Sequence, residues 1–63
     1  MDKNGVLEYL RDRLATAKTS REQMKAGDLK TFTNGRDDTA ESRAELEREI
    51  EGLPELIAWI ADN

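Results

Sequence analysis

The sequence contains no cysteine and no histidine, and one residue each of proline, tryptophan, tyrosine and phenylalanine. Disulfides and the usual structural zinc sites are therefore excluded as supports for the fold. The commonest nucleophile–base pairs of enzymes are excluded too, because histidine or cysteine takes part in most of them. No glycine-rich phosphate loop or dinucleotide fingerprint is present either. We expect a protein that needs no cofactor or metal, binds other macromolecules and is not an enzyme.

Long apolar runs are also missing. No 18 consecutive residues are apolar, and residues 1–20 lack the apolar segment of a signal peptide. These features predict a cytoplasmic protein that makes no membrane contact. A chain of 63 residues buries only about 60% of its unfolded surface, so its core will be thin. Oligomerisation is one remedy for a thin core, and we expect a homo-oligomer.

The charged residues are distributed unevenly along the chain. Residues 1–36 hold eight bases and five acids, a net charge of +3, whereas residues 37–63 hold nine acids and two bases, a net charge of −7. The ordinary interpretation is that the charged side chains of both halves are simply solvated. The alternative is that the two halves meet surfaces of opposite charge.

Two segments have helical periodicity. Leu7, Leu10, Leu14 and Ala17 recur at three- and four-residue spacings, which predicts a helix over residues 5–26 that ends before Gly27. A second stripe predicts a helix over residues 40–61, started by Asp38 with Glu41 or by Ser42 with Glu45. This second stripe contains Leu46, Ile50, Leu53, Ile57 and Ile60.

Pro54 lies inside the second stripe. Proline either kinks a helix or ends it, in which case Pro54 would begin a short final helix. Because the stripe keeps its phase across Pro54, a kink is favoured. The two stripes would bury seven residues between antiparallel helices: Leu7, Leu10, Leu14, Leu46, Ile50, Leu53 and Ile57.

The segment between the helices predicts a β-hairpin over residues 29–38. Asn34-Gly35 suits a two-residue type I′ turn, in which both central residues need positive φ. That turn would place Phe32 opposite Asp37, Thr33 opposite Arg36 and Thr31 opposite Asp38. Phe32 would anchor the hairpin to the helices and, with Leu29, close one end of the core. A plain loop is the alternative.

Candidate interface residues come from both helices. On the first, Arg11, Lys18 and Lys25 form a basic row at seven-residue spacing; on the second, Glu41, Glu45 and Glu49 form an acidic row at four-residue spacing. Either row is ordinarily a solvated face. The basic row could make non-specific contact with DNA phosphates, and the acidic row could meet the basic row of a neighbouring copy.

Trp59, Leu56 and Tyr9 complete the candidates. Trp59 lies off the stripe of Ile57 and Ile60, with Leu56 between, and Tyr9 lies outside the stripe of the first helix. Trp59 either wraps over the end of the first helix or is an exposed residue of an interface, where tryptophan is enriched.

The segment from Met24 to Ile50 resembles phage head–tail joining (head-completion) proteins of the lambda W type. In that family a first helix ends in a small residue and glycine, a hairpin with a glycine-arginine turn follows, and a second helix has an S/D-x-x-E/D-L-x-x-x-I-type start. The matching elements are Ala26-Gly27, Asn34-Gly35-Arg36 and Ser42…Glu45-Leu46…Ile50.

The resemblance implies an α+β fold in which two antiparallel α-helices are joined by a short β-hairpin. It also implies a structural role: a connector subunit that forms a ring under the portal after DNA packaging, helps retain the genome and receives the tail-attachment component. Such a protein would act in the host cytoplasm during assembly and enter the virion. The runner-up is an all-α helical hairpin that dimerises into a four-helix bundle and regulates by binding nucleic acid or a protein.

Overall fold

A computed structural model describes residues 2–63 as two long antiparallel helices joined by a two-stranded hairpin. The elements are α1 (Lys3–Ala26), β1 (Phe32–Thr33), β2 (Arg36–Asp37) and α2 (Thr39–Asp62). This arrangement confirms the α+β fold. The all-α alternative is wrong, because β1 and β2 are paired.

Helix α1 begins two residues earlier than the apolar stripe predicts and ends where the sequence predicts. Asp2 caps its start, since the Asp2 carboxylate accepts a hydrogen bond from the Gly5 amide at 2.7 Å. At its end Gly27 has a φ of +81°, and its amide donates to the Met24 carbonyl at 3.2 Å. The Asp28 amide donates to the Gln23 carbonyl at 2.9 Å. This is a Schellman motif, which requires a left-handed residue and so favours glycine.

The hairpin has the predicted register. Phe32 pairs with Asp37 and Thr33 with Arg36. Asn34 and Gly35 have φ values of +52° and +81°, the two positive values that a type I′ turn needs. Because the strands are paired, the plain-loop alternative is wrong. The strands have two residues each, and residues 29–31 and 38 of the predicted range lie outside the strands and the turn.

Side chains at the base of the hairpin replace the expected cap of α2. Asp38 makes no capping bond with its side chain; its two carboxylate oxygens accept from the hydroxyls of Thr31 and Thr33, each at 2.6 Å. Asp37 binds the start of the helix, because its Oδ1 accepts from the Thr39 amide at 2.9 Å. The predicted cap is therefore displaced by one residue.

Helix α2 runs without interruption through Pro54. A separate final helix is thus wrong. Pro54 is exposed, so water can satisfy the carbonyl that loses its usual amide partner.

The core between the helices is as thin as the length of the chain predicts. Within residues 2–63 three side chains are buried, Leu7, Leu10 and Ala17, and all three belong to α1. The remaining predicted core positions are half-buried: Leu14, Leu46, Ile50, Leu53 and Ile57. Ala17 is the most deeply buried, at 3% exposed, and was not among the expected buried residues. A methyl group at this point lets α2 approach α1 closely.

Phe32 is not an anchor. It is 61% exposed, because strands of two residues leave it on a projection beyond the helix ends. Leu29 is half-buried.

Candidate interaction surface

The helix pair has two long sides, and one of them is marked by an ion pair between the helices. Arg13 donates through Nη2 to Glu49 Oε1 at 2.6 Å, and we call the side that carries this pair the front. The hydrogen bond, followed by the charge of Glu49, raises the pKa of Arg13. An open groove of about 360 Å³ lies beside the pair. The residues that line it are Tyr9, Asp12, Arg13, Thr16, Ala17, Ser20, Leu46 and Glu49.

The acidic row lies on the front, but its members differ in how they are engaged. Glu49 is held by Arg13, and Glu41 lies 3.8 Å from Arg36 of the hairpin. Glu45 is exposed and forms no ion pair with any residue from 2 to 63. Glu45 is therefore the member of the row that is best placed to meet an outside cation.

The basic row lies on the opposite long side, which we call the back. Successive helical residues are about 100° apart, so Arg11, two positions before Arg13, lies about 200° from it. Lys18 and Lys25 follow Arg11 at seven-residue intervals and stay on its side of the helix. All three are exposed, and none donates a hydrogen bond to another of the described residues.

Three large hydrophobic side chains are exposed on the front. Trp59 is 66% exposed, Tyr9 56% and Leu56 43%, so Trp59 does not wrap over the end of α1. Tyr9 precedes Arg13 by four residues, about 40° around α1, and Leu56 follows Glu49 by seven, about 20° around α2. Trp59 follows Leu56 by three, which turns it about 80° from Glu49, toward the outer edge of the front. We call Tyr9, Leu56 and Trp59 the apolar patch.

The patch lies toward the open end of the helix pair, away from the hairpin. There Lys3 Nζ donates to the Ala61 carbonyl at 3.0 Å, which joins the first turn of α1 to the last turn of α2. A cation at the C-terminus of a helix also offsets its partial negative charge. The end that carries Trp59 is therefore held in place by contacts within the chain.

Across residues 2–63 no group of three or more acidic side chains is arranged to hold a metal ion. Neither described helix is long and apolar enough to cross a membrane. The features that stand out are the unpaired Glu45 and the apolar patch on the front, and the basic row on the back. The sequence predicted the rows and Trp59 as candidates, but the ion pair of Arg13 with Glu49 depends on how the helices pack and was missed.

Comparison with protein-family models, curated proteins and solved structures gives no match for this chain.

Proposed function

We propose that this protein is a non-enzymatic assembly subunit of the phage head–tail connector kind. Copies would form a ring beneath the portal, help retain packaged DNA and provide the site for the tail-attachment component. The observation that carries the proposal is the closed Asn34-Gly35 hairpin between two antiparallel helices. That order of elements is the one implied by the resemblance to the lambda W type. The protein would act in the host cytoplasm during assembly and then stay in the virion.

The thin core supports an assembling subunit. Residues 39–62 form a helix of 24 residues with no buried side chain. A helix with this much uncovered apolar surface gains stability when a further element packs on it. A second copy of the chain can supply that element.

The placement of charge supports a ring over a two-fold dimer. Acidic and basic rows lie on opposite long sides, so unlike surfaces attract when copies join front to back. Such heterologous contacts leave a free front and a free back, and they close into rings when the rotation between copies permits. A two-fold contact through the fronts would bring acidic rows near each other, which is unfavourable.

The first test is the mass of the protein against concentration. Sedimentation velocity at low and high salt should show an oligomer that grows with concentration and weakens with salt, because the rows attract through screened charges. Electron microscopy of the low-salt sample should show closed rings. A monomer at every concentration in low salt contradicts the proposal, and so does a dimer that never grows, which would favour a dimeric regulator that binds nucleic acid or a protein.

The role in DNA retention has its own test. In a copy that is not bound through its back, Arg11, Lys18 and Lys25 can approach phosphates, and binding through three such contacts falls steeply as salt increases. Dilute protein, below the concentration at which copies join, should therefore retard a DNA duplex of arbitrary sequence at low salt, and replacement of these bases by glutamine should remove the retardation. Dilute protein that fails to retard DNA contradicts this part of the proposal.

A further inference from the structure

We infer that neighbouring copies join by packing the back of α1 from one copy against the front of α2 from the next. This inference rests on the proposed assembly role and specifies its interface. Three residues of α2, namely Glu45, Gly52 and Trp59, would face Lys25, Lys18 and Arg11 of the neighbouring α1. We call the first set the receiving row.

The spacing of the two rows is the same. Members of each row are seven residues apart, which corresponds to about 10.5 Å per step and about 21 Å from end to end of a helix. Residues seven apart deviate by only about 20° around a helix, so each row is nearly straight. All six residues are exposed. When α1 of one copy lies antiparallel to α2 of the next, all three pairs of facing residues therefore align. We call each pair a step of the contact.

Glu45 and Lys25 form the first step. Glu45 has no ion pair within residues 2–63, and Lys25, in the last turn of α1, is equally unengaged. A carboxylate and an ammonium group brought together here fix the register of the contact and speed the encounter of the two copies.

Gly52 and Lys18 form the middle step. A Cβ built on Gly52 meets no atom within 4 Å, so α2 presents bare backbone at this point. The absence of a side chain lets a neighbouring helix approach closely and gives the aliphatic stem of Lys18 a place to lie. Lysine stems commonly cover apolar surface while the ammonium group stays in water.

Trp59 and Arg11 form the last step. A guanidinium group over the face of an exposed indole is attracted by the electrons of the ring. Leu56, one turn before Trp59 and 43% exposed, adds apolar surface for the stem of Arg11. Along the receiving row, an acid, an open space and an aromatic ring follow one another. Opposite each of them, the basic row of the neighbouring copy places a cation with a long aliphatic stem.

The occupant is a second copy because the chain itself carries the complement of the receiving row. A nucleic acid is repelled by Glu45 and its acidic neighbours on α2. The complementary row is on the back, so a copy bound through its back keeps its own front open. The contact then repeats from copy to copy without any other component.

The test uses the full chain and one matched pair of variants. Gly52→Arg places bulk and positive charge opposite Lys18, and it should weaken association about tenfold or more. Ala58→Arg adds the same side chain at another exposed position of α2, six residues from Gly52 and on the other side of the helix. It should associate as the original does. Circular dichroism should show equal helix content in both variants.

A charge exchange tests the register independently of Gly52. Glu45→Lys and Lys25→Glu should each weaken association about tenfold, and the variant with both changes should recover it. If Gly52→Arg unfolds the chain, this exchange decides the matter. Failure of the double variant to recover overturns the register.

The outcomes separate the interface from the assembly role. Rings that form equally well with Gly52→Arg overturn this interface and leave the proposed function standing. A chain that stays monomeric at every concentration in low salt overturns both.

Discussion

Thr31 and Asp38 hold the base of the hairpin through two hydrogen bonds of opposite direction. The Asp38 amide donates to the Thr31 carbonyl at 3.0 Å, and the Thr31 hydroxyl donates to Asp38 Oδ1 at 2.6 Å. The second oxygen of the same carboxylate accepts from the Thr33 hydroxyl at 2.6 Å. An ionised carboxylate is a stronger acceptor than a protonated one. Closure of the hairpin therefore depends on the charge of Asp38.

We expect the hairpin to loosen in acid. The hydroxyls of Thr31, and then of Thr33, lower the pKa of Asp38 below its ordinary value of 3.8. Because the folded pKa is the lower one, the stabilisation is complete above the unfolded pKa and is lost as pH falls through the folded pKa. An NMR titration of the Asp38 carboxyl carbon should give a midpoint below 3.8.

The threonines should account for that midpoint. Thr31→Val should move the pKa of Asp38 upward, and Thr33→Val should do the same. Thr19→Val removes a hydroxyl that donates to a carbonyl of α1 at 3.1 Å and should leave the midpoint unchanged. A midpoint at or above 3.8 in the original protein would show that the hydroxyls do not hold the ionised form.

Replacement of two glycines by alanine should change the free energy of unfolding in opposite directions. Gly27→Ala places a side chain at a φ of +81° and should lower the free energy of unfolding by about 1–2 kcal/mol. Gly52→Ala adds a methyl group in open space inside α2 and should raise it by about 0.5–1 kcal/mol. Urea denaturation of dilute protein in high salt, where association is suppressed, measures both. Changes of the same sign would contradict the assigned end of α1 or the continuity of α2.

Truncation should be severe at Leu10 and mild at Phe32. Leu10 is 9% exposed and lies between the helices, and leucine-to-alanine changes at such sites cost about 2–5 kcal/mol. Small domains have roughly 0.05–0.15 kcal/mol of stability per residue, so Leu10→Ala should leave much of this chain unfolded at ambient temperature. Phe32→Ala should change stability by no more than about 0.5 kcal/mol. Thermal unfolding followed by circular dichroism gives both values. A larger loss at Phe32 would mean that the hairpin packs on the helices.

The sequence was sufficient where a local rule decides the structure. Asn34-Gly35 favours a turn of two residues, and a turn of that length fixes the pairing of Phe32 with Asp37. The stripe of leucines in α1 likewise identifies the side of that helix that meets α2. Such features depend on residues that are close together in the chain, which is why they could be predicted.

The sequence was insufficient where several partners compete. Asp38 could cap α2 or bind the threonines of the hairpin, and Asp37 next to it offers the helix another acceptor. Phe32 was expected to pack on the apolar surface of the helices, but strands of two residues are too short to bring its side chain there. In the candidate surface, Glu49 was recognised as part of a row, whereas its partner Arg13 is 36 residues away in the chain. Contacts of this kind depend on the packing register of the two helices.

Pro54 should be the position at which a single change most improves the monomer. It lies inside α2 without an amide proton, so the Ile50 carbonyl lacks its usual partner. Pro54→Ala restores that donor and should raise the free energy of unfolding by about 1–3 kcal/mol. Glu55→Ala, at the next exposed position, alters no backbone donor and should stay within about 0.5 kcal/mol. Urea denaturation in high salt measures the stabilities, and hydrogen exchange should show stronger protection of the amides that follow residue 54 in the proline variant. If Pro54→Ala proved no more stable than Glu55→Ala, water at this exposed position would already satisfy the Ile50 carbonyl at little cost.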